Sequence, residues 1–505
     1  MKIPAFQRPF VWKDEQAIRL LDSLASNYPV GSLLLWKTAE KLQTERNIGD
    51  FTLPETDDHS PTDYVLDGQQ RLTVIYSCLG APEHEGGFAA GYDLVEEEFI
   101  PMTNQAPLTV FPLRALFNTS RLLDFRTALQ SRPDKDELQR RLDSLIRVLS
   151  GYRLPVVTLK NLNLDEVCPI FERINDSGTR LSIYDLMVAA TWSRDFDLNV
   201  RTKNLATALE RKDFDKIEQS TVLKVLSAIH TSSVQRESIL QLRNLGATAL
   251  DELVEKARGG LERAVDLLVT DFRVHSLDFL PYEAHLVILA SLFSERKKLK
   301  NPELVRARQW FWRSAFSERF KGASESFISR GITQASNFIS GESGSADDFG
   351  DLPTARNLLR LGFRKNGAGS RAFSLAMGKK GPRNLTNGSA IDTFAALSVY
   401  NKHQFHHIFP QAFLKRLDDQ IDSNRLMNIC FLSASENNEI SDGDPCVYIP
   451  ELARTLGGSA AGVFASSLLP NPSNFDYAKT NYDDFLIARA EIAEKWVQQL
   501  CEGGR

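Results

Sequence analysis

From about residue 190 to residue 340 the apolar side chains recur at i, i+3 and i+4 almost without a break. TVLKVLSAIH, LDELVEKARGGLERAVDLLVTDF and NPELVRARQWFWRSAFSERF are examples. That period is helical, and charges fill the opposite faces, so the stretch is expected to be helix packed on helix. The longest apolar runs, such as LVILASLF at 286–293, fall short of the roughly 18 residues a membrane span needs. A chain of 505 residues predicts two to four domains at about 100–200 residues each.

The flanks read differently. Residues 1–190 combine a helical pattern near Asp14–Ser26 with a buried strand in YPVGSLLLW and a strand–Gly–helix junction in YVLDGQQRLTVIYSCLG, ended by Gly80. Two more strands are expected in APLTVFPL and YRLPVVTL, which makes 1–190 one α/β domain. Residues 191–340 are the helical middle region. Small and acidic residues in SGESGSADDFGD mark 341–355 as a linker, and 356–505 as a basic segment with a C-terminal domain.

Composition narrows the function classes. With 42% hydrophobic and 25% charged residues the chain is of the soluble globular type, and 29 Gly, 21 Pro and 5 Cys exclude collagen-like, disordered and disulfide-scaffold proteins. MKIPAFQRPFVW has no apolar core of a secretory signal. Cys78, Cys168, Cys430, Cys446 and Cys501 form no CxxC pair, so a reduced, cytoplasmic protein without structural zinc is expected. A net charge of −5 argues against a uniformly basic coat. Yet Arg356–Ile391 holds eight basic residues, no acidic one and interleaved glycines. Arg371, Lys379, Lys380 and Arg383 are therefore candidates to neutralise DNA phosphates, with a solvated face as the plain alternative.

Three of the chain's eight histidines fall within HQFHHIFPQAF at 403–413, ahead of IDSNRLMNICFLSASENNEIS. Phosphodiester cleavage needs a base for water and a divalent ion at the scissile phosphate. A strand carrying adjacent histidines, followed by a helix carrying an amide, meets both needs. These residues resemble the HNH, or ββα-metal, nucleases. His406-His407-Ile408-Phe409-Pro410 matches the first element of that pattern, Asn428 the middle asparagine and Asn437 the helical one. The resemblance implies His407 as general base, Asn428 as the residue orienting the catalytic loop, and His406 with Asn437 as metal ligands, Asn438 being the adjacent alternative. Many relatives have Asp where His406 stands. Besides Mg²⁺, softer ions such as Mn²⁺, Zn²⁺ or Ni²⁺ then become candidates.

In YVLDGQQRLT, Gly68 allows close backbone approach at a helix N-terminus, and Arg71 can grip phosphate through paired bonds. Asp67 can bind a metal ion or polarise water, and Gln69 and Gln70 can orient that water or contact a base. IPAFQRPFVW, YPVGSLLLW and FERINDSGTRLSIYDL accompany the junction in order. Together these segments resemble the N-terminal domain of GmrSD-type proteins, a family of modification-dependent (type IV) restriction endonucleases. The resemblance implies a ParB/sulfiredoxin-like α/β domain whose usual partner is an HNH nuclease. The fold class expected is thus α+β and multi-domain, with that domain first, an all-α middle and a ββα-metal domain last. It implies a nucleotide pocket of Gln7, Arg8, Asp67, Gly68, Gln69, Gln70 and Arg71, closed by a turn at Asn175 and Gly178. Ser182 and Asp185 have the form of a helix capping box, and Phe6, Phe10, Trp12 and Trp36 read as core aromatics. Relatives carry a further segment before IPxFQR, so either a longer native N-terminus or a missing first element is expected.

The function expected is a nucleotide-dependent endonuclease of phage defence. Its cofactors would be Mg²⁺ or Mn²⁺ and a nucleoside triphosphate, and its substrate modified double-stranded DNA. A membrane is not an expected partner, and homo-oligomerisation is open. A non-cleaving, nucleotide-gated DNA-binding regulator and a nucleotide hydrolase acting on RNA are the alternatives.

Overall fold

Apolar positions at Ala17, Leu20, Leu21 and Leu24 give the first helix, α1 (Asp14–Ala25), one buried stripe. Alternating side chains in LLLWKT build the strand that follows, β1 (Leu33–Thr38). Both belong to the first of two compact units, Met1–Leu198 and Asn199–Arg505. The computed structural model describes the chain except for residues 5–9, 43, 46, 54–59, 83–86, 104–105, 164–165, 168–169, 171–181, 194, 365, 399–404, 433–439 and 505.

In the first unit, β2 (Thr62–Asp67) lies antiparallel to β1 with Trp36 opposite Tyr64. Gly68 turns the chain into α2 (Gln69–Ile75), which passes into a wider helical turn ending at Gly80. A second sheet joins β3 (Ala90–Asp93) to β4 (Glu98–Pro101) and β5 (Val110–Pro112). After α3 (Lys135–Gly151), strand β6 (Val156–Lys160) returns parallel to β1, so the order in the first sheet is β6-β1-β2.

Period-two alternation decides which side chains meet. Leu34, Trp36, Tyr64 and Leu66 share one cluster, and Leu35 and Val65 face another. The α1 stripe packs on Leu138, Leu142, Leu145 and Leu149 of α3, with Phe10 and Trp12 partly buried against the same core. Trp36 is fully buried and Phe6 lies outside the described residues. At α4 (Ile183–Thr191) the expected capping box is present: Ser182 Oγ accepts from the Asp185 amide at 3.3 Å, and Asp185 Oδ2 accepts from the Ser182 amide at 2.9 Å.

The second unit is helical from Asn199 through the expected middle region and onward. In α5 (Ala247–Phe272), Gly260 lets α6 (Glu283–Ser294) approach closely, since a Cβ there would lie 2.4 Å from the Ala290 carbonyl oxygen. Every residue from Ala284 to Ala290 is buried, as a helix apolar on nearly all sides requires. Asp271 accepts both arms of Arg308, from α7 (Asn301–Phe316), at 2.8 Å.

Residues 341–355, expected as a linker, are instead held. Ser345 caps a short 3₁₀ turn, Phe349 is buried against Phe338, and Arg313 of α7 donates to the Gly350 carbonyl at 3.0 Å and pairs with Asp347 at 2.6 Å. Small polar residues here serve capping and tight turns. The helical middle and the C-terminal stretch consequently form one unit.

Beyond it come α8 (Ala355–Arg360), α9 (Ala368–Lys380), strand β7 (Phe405–His407), α10 (Gln411–Leu417), strand β8 (Ile429–Phe431) and the long α11 (Tyr482–Cys501). No described helix is long and apolar enough to cross a membrane, and none of the four described cysteines is in a disulfide.

Candidate active site

Phe405, His406 and His407 form β7, paired antiparallel to β8 with His406 opposite Cys430 and His407 opposite Ile429. Consecutive strand residues point to opposite faces, which separates the two imidazoles. His406 is buried and His407 half-buried. The loop after β7 is clamped by Asn428, itself completely buried. Asn428 Oδ1 accepts from the Phe409 amide at 2.8 Å, and its Nδ2 donates to the carbonyls of Phe409 at 3.0 Å and Ser423 at 2.9 Å. The Ile408 amide donates to the Asn428 carbonyl at 2.8 Å, and the Tyr448 hydroxyl donates to the Ile408 carbonyl. Both polar atoms of the Asn428 amide are thus committed to backbone, at Phe409 just after β7 and at Ser423 just ahead of Asn424.

A buried cation supports this clamp from α11. Arg489 donates to the carbonyls of Met427 at 2.6 Å, Ser467 at 3.2 Å and Leu468 at 3.3 Å. Burial pulls its pKa down to about 10, which still leaves it charged near neutrality. Leu468 takes a left-handed φ of 56° where it meets this guanidinium.

His407 has two amide neighbours that sequence reasoning missed. Its Nε2 lies 3.0 Å from Asn424 Oδ1 and 3.3 Å from Gln411 Nε2, and Gln411 Nε2 donates to Asn424 Oδ1 at 3.2 Å. With Asn424 Oδ1 as acceptor, the imidazole proton is assigned to Nε2 and the lone pair to Nδ1. Burial holds the His407 pKa below its ordinary value. The Asn424 hydrogen bond works against that shift, and the neighbouring His406 adds to it. The signal available in the sequence was slight: a polar residue one turn after His407 and a third asparagine just ahead of Asn428.

Of the two expected metal ligands, His406 is in place on β7, while Asn437 and the alternative Asn438 lie outside the described residues. Among the described residues no group of three or more His, Cys, Asp and Glu could hold a metal ion. One imidazole plus one amide oxygen is a neutral donor set of the kind suited to the later divalent ions as well as Mg²⁺.

The DGQQR junction is a lock within its own unit. Gly68 has a φ of 97°, and a Cβ there would come 2.4 Å from Leu33 Cδ2. Arg71 donates to the carbonyls of Val30 at 3.0 Å and Ser32 at 2.9 Å, and to Asp67 Oδ2 at 2.8 Å. Gln70 Oε1 accepts from the Val11 amide at 3.0 Å, and Gln69 is buried. Gln7, Arg8, Asn175 and Gly178 lie outside the described residues. Nearby, a cavity of about 400 Å³ is lined by Asp14, Asp50, Thr73 and Ser77 and by the rings of Phe10, Phe51 and Phe88, with no Lys or Arg among the described lining. The phosphate-gripping guanidinium expected from the sequence is committed to backbone carbonyls and a carboxylate.

The basic segment divides. Arg371 donates to the Leu280 carbonyl at 2.9 Å, Lys379 to the Asp271 carbonyl at 2.7 Å, and Lys380 sits 4.1 Å over the Trp496 ring. These three are built into the packing around α9, whose Gly369 and Gly378 face Leu361 and Leu397. Arg383 is exposed.

Residues 1–192 match the family model described as the GmrSD restriction endonuclease, N-terminal domain. An uncharacterized protein of Methanocaldococcus jannaschii is 23% identical over 507 residues, a span covering 89% of this chain and 84% of that protein. The first match supports a GmrSD-like family. The second runs through both units.

Proposed function

We propose that this protein is a metal-dependent endonuclease of phage defence that cuts or nicks modified double-stranded DNA at His407. The observation that carries the reading is the arrangement around β7: an imidazole held through Nε2 by Asn424 (3.0 Å), beside a loop clamped on both its amide and its carbonyl by Asn428. The N-terminal match to a restriction-endonuclease family supplies the substrate class.

In this mechanism Nδ1 of neutral His407 accepts a proton from water. The water oxygen attacks phosphorus, and the bond from phosphorus to the leaving sugar oxygen breaks. Asn424 keeps the proton on Nε2, so the lone pair stays at Nδ1 for that transfer. Asn428 and Tyr448 hold the 408–409 backbone, and with it the imidazole, in register. His406 and Asn437 would hold a divalent ion, which supplies positive charge at the phosphate and the leaving oxygen.

Nucleotide dependence belongs to the same proposal. The pocket at Asp67–Arg71 would engage phosphate through Arg71 by exchanging the carbonyls of Val30 and Ser32 for phosphate oxygens. The test is one panel: purified protein, modified and unmodified phage DNA, with and without nucleoside triphosphate, and Mg²⁺ or Mn²⁺. Metal-dependent cutting that favours modified DNA and disappears in His407→Ala is the expected result. Binding without cleavage under every condition would overturn the nuclease reading.

A further inference from the structure

Arg356, Arg360, Arg364 and Arg383 are exposed, and among the described residues none of these side chains has a carboxylate partner. Arg360 and Arg364 differ from the other two in where the backbone between them runs. The Leu361 carbonyl accepts from the Leu426 amide at 2.8 Å, the Phe363 amide donates to the Asn424 carbonyl at 2.6 Å, and Gly362 bridges Arg425 in antiparallel register. Residues 361–363 therefore lie as a short extra strand along 424–426. The first residue of that partner segment is Asn424, whose side chain holds His407. The Phe363 ring sits 5.4 Å from Phe405, at the head of β7, which fixes the strip to the histidine strand as well.

The strip between the arginines is open. A Cβ at Gly362 would meet only the Asn424 carbonyl oxygen, at 3.8 Å. Asp422, two residues ahead of Asn424 in the partner segment, is already paired with Arg425 at 3.2 Å. Two cations without a carboxylate partner, one at each end of a bare backbone strip that borders the candidate general base, suit a chain of phosphates.

We propose that Arg360 and Arg364 form a phosphate clamp that lays a double-stranded DNA backbone along 361–363 toward His407. This rests on the nuclease reading and gives it a substrate path; the sequence alone points further along, to Arg371, Lys379, Lys380 and Arg383. The test uses the full chain in a His407→Ala background with EDTA, and a fluorescent DNA duplex titrated at several salt concentrations. Arg360→Ala/Arg364→Ala should lower the slope of log affinity against log salt by about 0.9 for each phosphate no longer neutralised. Arg360→Lys/Arg364→Lys should keep the slope. Lys297→Ala/Lys298→Ala, an equal removal of exposed charge elsewhere in the unit, should leave it nearly unchanged. An unaltered slope in the first double variant, or an equal fall in the lysine control, would overturn the clamp. Absence of cleavage by the parent chain with either Mg²⁺ or Mn²⁺ would instead overturn the nuclease reading, whatever the slopes, and cleavage by His407→Ala at the parent rate would overturn His407 as its base.

Discussion

Asn424 and His407 stand 17 residues apart in the chain and 3.0 Å apart at Oδ1 and Nε2. The contact joins the segment leading into β8 to the last residue of β7, and it selects which imidazole nitrogen is free to accept a proton. Neither residue type is unusual in its place. Their apposition is what would give a histidine at a strand end a defined direction as a base.

Replacing that acceptor tests the direction. Asn424→Ala should reduce single-turnover DNA cleavage by roughly 10–100-fold, by analogy with removal of the partner that orients a metal-bound imidazole. DNA binding should change little. Imidazole nitrogen spectra of His407 should show loss of the preference for a proton on Nε2. Wild-type spectra together with a wild-type rate would remove Asn424 from the mechanism.

His407→Ala should cut the cleavage rate by ~10²–10⁴-fold, the usual contribution of a general base. The fold should survive, because His407 is only half-buried. A rate within a few-fold of the parent, read by plasmid nicking, would sink the assignment.

Asn428→Ala strands the Phe409 amide and two carbonyls that it now satisfies in a fully buried position. Each stranded group costs about 1–3 kcal/mol. A clear drop in the unfolding midpoint of the second unit is expected, along with loss of cleavage. An unchanged midpoint would mean that the clamp contributes nothing to stability.

Arg71→Ala should destabilise the first unit by roughly 1.5–3 kcal/mol for each charged hydrogen bond that is not replaced by water. Its side chain is only 15% exposed and ties the loop before β1 to the start of α2. Denaturant melts with and without nucleoside triphosphate separate the two roles. Lower stability with retained nucleotide affinity would leave the lock and remove the pocket.

His285, fully buried on α6, sets an acid limit. Its Nε2 faces Ser314 Oγ at 2.9 Å, and the rings of Trp310, Phe311 and Phe320 surround it. Burial pushes its pKa down to about 3 from the ordinary 6.5. Below pH ~6.5 the unfolded chain takes up a proton that the folded chain refuses. Stability owed to this residue is therefore constant above that pH and falls as pH drops toward about 3, by up to ~1.4 kcal/mol per pH unit. The melting curve of His285→Phe should be flatter than the parent's over that window. Parallel curves would exclude His285 as the cause.

The sequence by itself determined what depends on local geometry. The spacing of Ala17, Leu20, Leu21 and Leu24 specified the buried stripe of α1, and alternation specified how Leu34 and Trp36 face Tyr64 and Leu66. The order His406-His407…Asn428 marked the C-terminal unit, because residue type and spacing within a short segment are enough to suggest its chemistry. Only the tertiary structure decided which charges are spent inside. Lys379 looks like a surface cation in its own segment, yet it meets the Asp271 carbonyl 108 residues away. Arg71 reads as a phosphate ligand, yet it is claimed by carbonyls about 40 residues upstream, at separations of 41 and 39. Periodicity reports which face of a helix or strand is apolar. It carries no information on which distant backbone will close on that face, and that closure assigns Asn424 to His407 and leaves Arg360 and Arg364 exposed at the edge.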